Sequence, residues 1–448
     1  MKNVNPAFSW TRIDWKVWSA MARWIVLGSV VGLLAGTASA FFLWLLKLAT
    51  AFRVENEGIV FLLPLGGALI GWLYERYGQG IKGGNNLVLD TLHDQGPWIP
   101  RRMAPMVLFG TVGTHLFGGS AGREGTAVQM GASLADWVSK VARVGPDLRH
   151  QLLAAGIAGG FGSVFGTPIA GLVFGLESVV LGRLAHKAIV PALAAAVIGD
   201  LTCHAWGIGH DHYVAPAPVE LDLLLCGKWL IFAAAMAAAT TTFIELTRFI
   251  KQHMSAWFPR LPLRMFVGGC AVVGLWQVVG TSDYLGLGVP MIQQSFVDAD
   301  LGAHVFALKL LFTAITLGAG YLGGEVTPLF FVGATLGSVL ARWLGIPIEL
   351  GAGVGLAAVF SSASNAPLAL SIMAMELLGA GVFPHVAIVC VVSYVLTGHR
   401  GIYTSQLVLE TKDGAALDPP RLLGELRGAG SADASVPDSE DGGPAPER

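Results

Sequence analysis

Apolar stretches alternate with short polar segments along most of the chain. Four stand out, at residues 24–51, 59–74, 223–246 and 265–280. A helix needs about 20 apolar residues to cross a bilayer, so the first and third are long enough and the other two are close to it. The pattern predicts a helical protein that crosses the membrane several times.

Charges between the later spans indicate the side of the membrane. Residues 248–264 contain four Lys or Arg, whereas 203–222 and 281–300 contain none and carry several acids. Basic connections stay in the cytoplasm, so the first segment is predicted inside and the other two outside. We expect a multi-pass protein of the plasma or inner membrane with both termini cytoplasmic.

The two ends of the chain have different patterns. Residues 1–23 combine basic residues with Trp, which is typical of an interfacial helix on the cytoplasmic side. Residues 412–448 hold four bases and eight acids with few apolar residues, and this predicts a disordered cytoplasmic tail. The transmembrane domain is therefore predicted to cover residues 24–411.

Composition narrows the class further. Only 13% of the 448 residues are charged, about half the usual share of roughly 25%, and 54% are hydrophobic. This excludes a soluble enzyme, a disordered chain and a nucleic-acid binder, which would need a basic patch. The four cysteines form no CxxC pattern, so no disulfide framework and no metal site are predicted, and no cofactor is expected.

Three short blocks recur in the same order, which indicates two repeated halves at about 24–200 and 223–411. The blocks contain a Gly-flanked Glu-x-Thr, a Gly-Ala-x-Leu and a Pro-to-Glu decapeptide. They begin at residues 124, 131 and 168 and again at residues 325, 333 and 367. Glycine and proline interrupt the apolar segments around these blocks. Such broken helices survive only beside protein or a water-filled cavity, and in matched positions they mark a transporter's binding site. The fold predicted is all-α and polytopic, with two repeated halves, broken helices and an inverted arrangement.

The segment GGSAGREGT at residues 118–126 precedes a helix and could bind an anion. The first N–H groups of a helix lack partners and lie at the positive end of its dipole. An ionised Glu124 would compete with an anion for these donors, and protonation would release it, so anion entry and proton uptake would be linked. Alternatively, Glu124 is a capping carboxylate paired with Arg123.

The second half repeats the theme in GGEVTP at residues 323–328, where Pro suits the first turn of a helix. Glu325 lies in an apolar neighbourhood, where ionisable residues usually mark ion or proton pathways, the alternative being a structural ion pair. Asn85 and Asn86 could cap a helix or aim an amide at a small anion. Tyr403 could donate to the same anion or belong to the interfacial aromatic belt.

These motifs together resemble the CLC anion channels and antiporters. GREGT followed by VQMG at residues 128–131 is similar to the signature GREGP-x-VQ-x-G, and GGEVTP is similar to GG-x-F-x-P. The departures are GNNLV at residues 84–88 in place of GSGIP, Thr126 for Pro, Val326 for Phe, and Ser178 where chloride/proton antiporters carry an internal proton glutamate. This combination resembles the fluoride/proton antiporter branch of the family.

The resemblance implies a homodimer with one anion pathway in each subunit. It makes Glu124 the external gating and proton-carrying glutamate, with Glu325 supporting proton coupling in place of the missing internal glutamate. Asn85 would coordinate the central anion, with Asn86 as the alternative one position along, and Tyr403 would approach the same site. The remaining anion-binding candidates from the matching motifs are Gly122, Arg123, Gly125, Thr126, Val326 and Thr327.

The expected function is export of fluoride from the cytoplasm, driven by inward movement of protons. Fluoride is small and strongly hydrated, so it needs several close donors, and it is the base of a weak acid. A chloride/proton antiporter or a passive anion channel on the same fold is the alternative. An intramembrane serine hydrolase built on Ser120 and nearby His115 is a different class, but proximity alone does not supply a base and an orienting partner.

Overall fold

The computed structural model describes residues 15–93 and 97–426, which are mostly helical. The helices of the first half are α1 Trp15–Glu55, α2 Leu63–Tyr77, α3 Asn85–Leu92, α4 Met103–Leu116, α5 Glu124–Val141, α6 Pro146–Phe165, α7 Pro168–Glu177 and α8 Ile189–Ala205. Those of the second half are α9 Leu223–Trp257, α10 Leu261–Val279, α11 Val289–Gln294, α12 Val305–Gly318, α13 Val326–Leu344, α14 Ile348–Ser364, α15 Pro367–Leu378 and α16 Phe383–Leu396. Short 3₁₀ turns occupy Glu57–Leu62, His186–Ala188 and Ala380–Val382, and the strands are β1 Val180–Leu181, β2 Leu407–Glu410 and β3 Ala416–Leu422.

Within the described residues, six helical segments are long and apolar enough to cross a membrane, and several shorter apolar helices lie between them. This confirms a polytopic membrane protein built partly from broken helices. The N-terminal boundary differs from the prediction, because Trp15–Glu55 is one continuous helix. No Gly or Pro interrupts it before Gly28, so residues 15–23 are continuous with the helix of the first span, and their predicted place at the membrane interface stays a prediction. The rest of the predicted N-terminal helix, residues 1–14, lies outside the described residues.

The predicted disordered tail is wrong over residues 412–426. Strand β2 pairs in parallel with β1 and antiparallel with β3, which makes a small three-stranded sheet. Leu423 is fully buried against Leu181 and Val408. The Lys412 ammonium donates to Asn365 Oδ1 at 2.8 Å and to the carbonyl of Tyr394 at 2.7 Å. Strand pairing and these anchors order a segment of low apolar content; residues 427–448 lie outside the described residues.

The two halves meet through contacts that are reciprocal at matching positions. Gly122 and Gly324 form an antiparallel bridge, in which each N–H donates to the carbonyl of the other at 2.6 and 2.8 Å. Glu177 at the end of α7 accepts hydrogen bonds from the second and third residues of α15, at 3.1 and 2.8 Å. Glu376 on α15 does the same for α7, at 3.0 and 2.7 Å. Such an exchange is what a two-fold relation between repeats produces; the inversion of the halves across the membrane stays a prediction.

Glycines allow the long helices of each half to pack closely. A Cβ on Gly131 of α5 would lie 2.2 Å from the Gly156 carbonyl oxygen of α6. The same relation recurs in the second half, where a Cβ on Gly333 of α13 would lie 2.0 Å from the Gly355 carbonyl oxygen of α14. Small residues permit such backbone contact between membrane helices. These two tight pairs hold α5 against α6 and α13 against α14.

Candidate functional site

The candidate site forms where α5 and α13 begin, one from each half. Glu124 is the first residue of α5 and is fully buried. Its Oε2 accepts hydrogen bonds from the backbone N–H groups of Arg123 and Thr327, both at 3.1 Å. The Thr327 hydroxyl donates to Oε1 at 2.5 Å. The carboxylate of one half therefore occupies the donors at the helix start of the other half.

Local sequence explains why this contact forms. The Gly122–Gly324 bridge joins the two chain segments immediately before the helices. Pro328 stands in the first turn of α13, where its missing N–H costs nothing. The free N–H groups and the helix dipole make this turn a binding place for a negatively charged oxygen or a small anion.

Arg123 has a closer acidic partner than Glu124. Its Nη2 donates to Asp211 Oδ2 at 2.6 Å, whereas its Nε lies 3.4 Å from Glu124 Oε1. The simple alternative, in which Glu124 is only a cap held by Arg123, therefore leaves out its stronger bonds to Thr327. Asp211 was missed as a site residue, since the sequence marks it only as one acid in a segment without bases.

Two cavities lie next to this junction. The larger has a volume of about 190 Å³, and its polar lining residues are Tyr74, Lys82, Asn85, Asn86, Thr111, Thr126, Gln129, Lys251, Tyr321, Glu325 and Tyr403. The smaller has a volume of about 20 Å³ and is lined by Asn85, Val88, Leu89, Val128, Ile157, Phe174, Ser178 and Tyr403. Asn85 and Tyr403 border both cavities, although 318 positions separate them in the chain.

The two asparagines that the sequence analysis left open have different surroundings. Asn85 is the first residue of α3, and its Oδ1 is buried without a hydrogen-bond partner among the described residues. Asn86 lines only the larger cavity, and its Oδ1 accepts a hydrogen bond from the Ser405 N–H at 3.2 Å. Asn86 therefore bonds to the segment that carries Tyr403, whereas Asn85 lines both cavities.

Three other predicted site residues, Glu325, Thr126 and Gly125, lie at or beside the larger cavity. Glu325 precedes the first residue of α13, is partly exposed, and lines the larger cavity together with Lys251. The Thr126 hydroxyl lies 2.7 Å from that of Thr111 beside this cavity. A Cβ on Gly125 would lie 3.1 Å from Asn85 Nδ2, so glycine allows the amide to approach the helix start.

Not every candidate is brought to a cavity. Val326 is 1% exposed and belongs to the apolar core, and it lines neither cavity, although its neighbour Thr327 binds Glu124. Ser178, by contrast, borders the small cavity with a buried hydroxyl that has no hydrogen-bond partner among the described residues. The Ser120 hydroxyl lies 2.9 Å from that of Thr313 rather than pairing with His115, so the serine-hydrolase arrangement is not formed.

Known proteins share this arrangement and much of this sequence. The family model described as voltage gated chloride channel matches residues 66–398. A chloride/fluoride channel protein from Pseudomonas syringae pv. tomato is 42% identical over 418 residues, which is 91% of each chain. The crystal structure of a CLC-type fluoride/proton antiporter superposes with a TM-score of 0.84 at 35% identity, covering 89% of this chain and all of the other.

A more distant structure shares the fold alone. The X-ray structure of a slow cyanobacterial Cl⁻/H⁺ antiporter has a TM-score of 0.75 at 19% identity and covers 84% of this chain and 94% of the other. The family model matches most of the chain, and the broken helices form the junction described above. The chain belongs to the CLC family and is an anion/proton transporter, not an enzyme.

Proposed function

We propose that the protein exchanges fluoride for protons and exports fluoride from the cytoplasm. The proposal rests on two hydrogen bonds that Thr327 donates to the Glu124 carboxylate, one from its backbone N–H and one from its hydroxyl. These donors suit any small, hard acceptor. A carboxylate oxygen and a fluoride ion compete for them, so each can displace the other.

Proton exchange follows from this competition. An ionised carboxylate accepts several hydrogen bonds at the start of α13, whereas a protonated one has lost the charge that the helix end favours. Glu124 therefore leaves the donors when it takes up a proton, and an anion takes its place. When fluoride departs, the carboxylate returns and releases its proton, which links the two movements.

The small cavity supports fluoride as the anion. A cavity holds one water molecule once about 10–15 Å³ is open to a water-sized probe, and this one has about 20 Å³. Fluoride is close to water in size, and its dehydration requires close donors. Asn85 supplies an amide, Tyr403 a hydroxyl and Ser178 a second hydroxyl on the rim. The relatives whose names or titles mention fluoride agree with this choice.

Glu325 is proposed as the carboxylate that supports proton movement on the other side of the junction. It lines the larger, more polar cavity. Ser178 cannot carry a proton as the internal glutamate of chloride/proton antiporters does. A carboxylate at the edge of a cavity that water can enter is the available substitute, since ionisable groups at membrane depth usually mark such paths.

The proposal is tested with purified protein in liposomes loaded with fluoride. Fluoride efflux is followed with an electrode and internal pH with a trapped dye, with a chloride-loaded preparation as the control. Efflux of fluoride that drives protons inward against their gradient, with little chloride flux, supports the proposal. Fluoride efflux without uphill proton movement overturns antiport, and equal chloride flux overturns the selectivity assigned to the small cavity.

The two asparagines provide a matched pair of variants for the anion role. Asn85→Ala should lower fluoride flux and reduce the preference for fluoride over chloride at least about tenfold, because losing one close donor raises the cost of dehydrating fluoride by about 1–3 kcal/mol. Asn86→Ala removes only the bond to Ser405 and should leave that preference unchanged. A loss of preference in Asn86→Ala alone would move the anion role to the second asparagine.

We further propose a homodimer in the plasma or inner membrane, with one pathway in each subunit and both termini in the cytoplasm. The second residues of α7 and α15, Ile169 and Leu368, are 42% and 47% exposed next to the carboxylate caps that join the two halves. An apolar surface around these helix starts suits contact with the same surface of a second copy. The mass of the detergent-solubilised protein, measured by light scattering, tests this; a monomer at micromolar concentration overturns it.

A further inference from the structure

Three side chains that no role above uses lie together at the C-terminal end of α8. Asp200 and His204 are one turn apart near the end of this helix, and His210 follows in the next loop. One potential ligand atom from each lies within 4.8 Å of the other two. The His204 and His210 rings are 5.0 Å apart between centroids.

The hydrogen bonds leave ligand atoms available. His210 Nε2 lies 2.9 Å from the Ser163 carbonyl oxygen, so it carries the proton and leaves Nδ1 with a free electron pair. A carbonyl that orients a histidine in this way is the usual support of a metal ligand. Asp200 Oδ1 is buried and accepts no hydrogen bond from the described residues, although His204 Nδ1 lies 3.3 Å away. His204 Nδ1 lies 3.0 Å from the Asp200 carbonyl oxygen, and its ring is exposed, so the ring can leave this bond and turn toward the other two side chains.

We propose that Asp200, His204 and His210 bind a divalent transition metal ion, with Zn²⁺ as the representative probe. Two imidazole nitrogens and one carboxylate oxygen suit such an ion, and water fills the fourth position of a tetrahedral site. Ligands about 2.0–2.2 Å from the metal are about 3.3 Å apart, so the side chains need only to move closer by rotation. The sequence analysis predicted no metal site because it considered cysteine spacing, and this set contains none.

The cluster lies next to the loop that carries Asp211, so a bound metal should affect transport. His210 is followed directly by Asp211, which holds Arg123 beside Glu124. Arg123, His210 and Asp211 line a cavity of about 450 Å³ on the side that the charge pattern assigns to the exterior. A metal that ties His210 to the end of α8 restrains this loop. Transport should therefore slow when the metal is bound.

Binding is measured first, and this readout does not depend on which anion is transported. Full-length protein with any purification tag removed is titrated with Zn²⁺ by calorimetry, and bound zinc is counted after dialysis. We expect one Zn²⁺ per subunit. His204→Ala and Asp200→Asn should weaken binding at least about tenfold. His212→Ala, an exposed histidine of the same loop outside the cluster, is the matched control and should bind as the unaltered protein does.

Transport is measured next, in liposomes loaded with fluoride. Zn²⁺ should slow fluoride efflux severalfold in the unaltered protein and in His212→Ala, and EDTA should reverse the effect. His204→Ala should transport normally and should not respond to Zn²⁺. Equal zinc binding by His204→Ala and the unaltered protein overturns the site. Cluster-dependent binding that leaves the efflux rate unchanged overturns the effect on the loop.

Discussion

Glu124 and Glu325 stand at matching positions of the two halves, yet their surroundings differ. Glu124 is fully buried and accepts three hydrogen bonds, two of them from Thr327 at the start of the opposite half's helix. Glu325 precedes that same helix, is partly exposed, and borders the larger cavity beside Lys251. The repeat therefore places two carboxylates near one junction, one buried in the protein and the other at the wall of a polar cavity.

Under the proposal above, the difference supports separate tasks for the two groups. A buried carboxylate on helix N–H groups replaces an anion directly, so its protonation state decides whether the anion site is open. A carboxylate at the wall of a polar cavity can exchange protons with water but does not occupy the anion's donors. Loss of Glu124 should change the ratio of protons to fluoride, whereas loss of Glu325 should change the rate.

The largest effect is expected for Glu124→Gln. Glutamine keeps the size of the side chain but carries no transferable proton, so uphill proton movement driven by fluoride should disappear while some fluoride flux remains. Parallel records of fluoride efflux and internal pH in liposomes measure this. Glu220→Gln, on an exposed loop, is the control and should pump protons normally. Unchanged proton pumping in Glu124→Gln would show that Glu124 does not carry the transported proton.

Glu325→Gln should slow transport and leave the ratio intact. A positioned proton-transfer group typically accelerates transfer by about 10²–10⁴-fold, and water in the cavity offsets part of this, so we expect a loss of at least about tenfold in both fluxes. Initial rates in the same assay give the answer. Glu349→Gln, in the first turn of α14, tests for a general effect of removing a membrane carboxylate. A changed ratio at an unchanged rate would contradict the division of tasks.

Thr327→Val should have a smaller effect, because the backbone N–H still binds Glu124. A hydrogen bond to a charged group contributes about 1.5–3 kcal/mol, so the carboxylate is held roughly 10–100-fold less tightly without the hydroxyl. Fluoride should then pass more often without a proton, and the proton-to-fluoride ratio should fall severalfold. Thr335→Val is the matched control, since that hydroxyl binds only carbonyls of its own helix. Equal ratios in both variants would mean that the hydroxyl does not hold the gate.

These contacts also show how far the sequence alone could lead. The spacing of Gly, Pro and Glu predicted both helix starts, because those residue types report local backbone requirements. It could not predict that Glu124 binds Thr327, 203 positions away, because the pairing depends on how the halves dock. The proposed preference for Asn85 over Asn86 likewise rests on the bond between Asn86 and Ser405, which are 319 positions apart in the chain.

The two halves differ again at their ends, where composition misled the prediction. The second half continues beyond α16 into the segment 403–426, which starts at the cavity with Tyr403 and pairs with β1 of the first half. Few apolar residues are needed there, since backbone pairing and the buried Leu423 hold the segment. Order in a polar segment came from long-range pairing, which local composition does not report.

Lys412 gives the smallest expected effect and tests this anchoring outside the membrane. Burial lowers the pKa of Lys412 from 10.5 to about 7. Between these two values the unfolded chain binds a proton that the folded protein does not, so the free energy of unfolding rises with pH across this window, by up to about 1.4 kcal/mol per pH unit. Below pH 7 Lys412 is protonated in both the folded and the unfolded chain. Its contribution to the free energy of unfolding then no longer changes with pH and has its lowest value. Lys412→Met should remove this rise, so that the difference in melting temperature between the two proteins in detergent shifts in favour of the unaltered protein as the pH rises from 7 to 9. Lys187→Met, at an exposed site, should leave the pH dependence unchanged. A gap between Lys412→Met and the unaltered protein that stays constant with pH would mean that Lys412 keeps its proton between Asn365 and Tyr394, as a charged ammonium on two neutral oxygen acceptors.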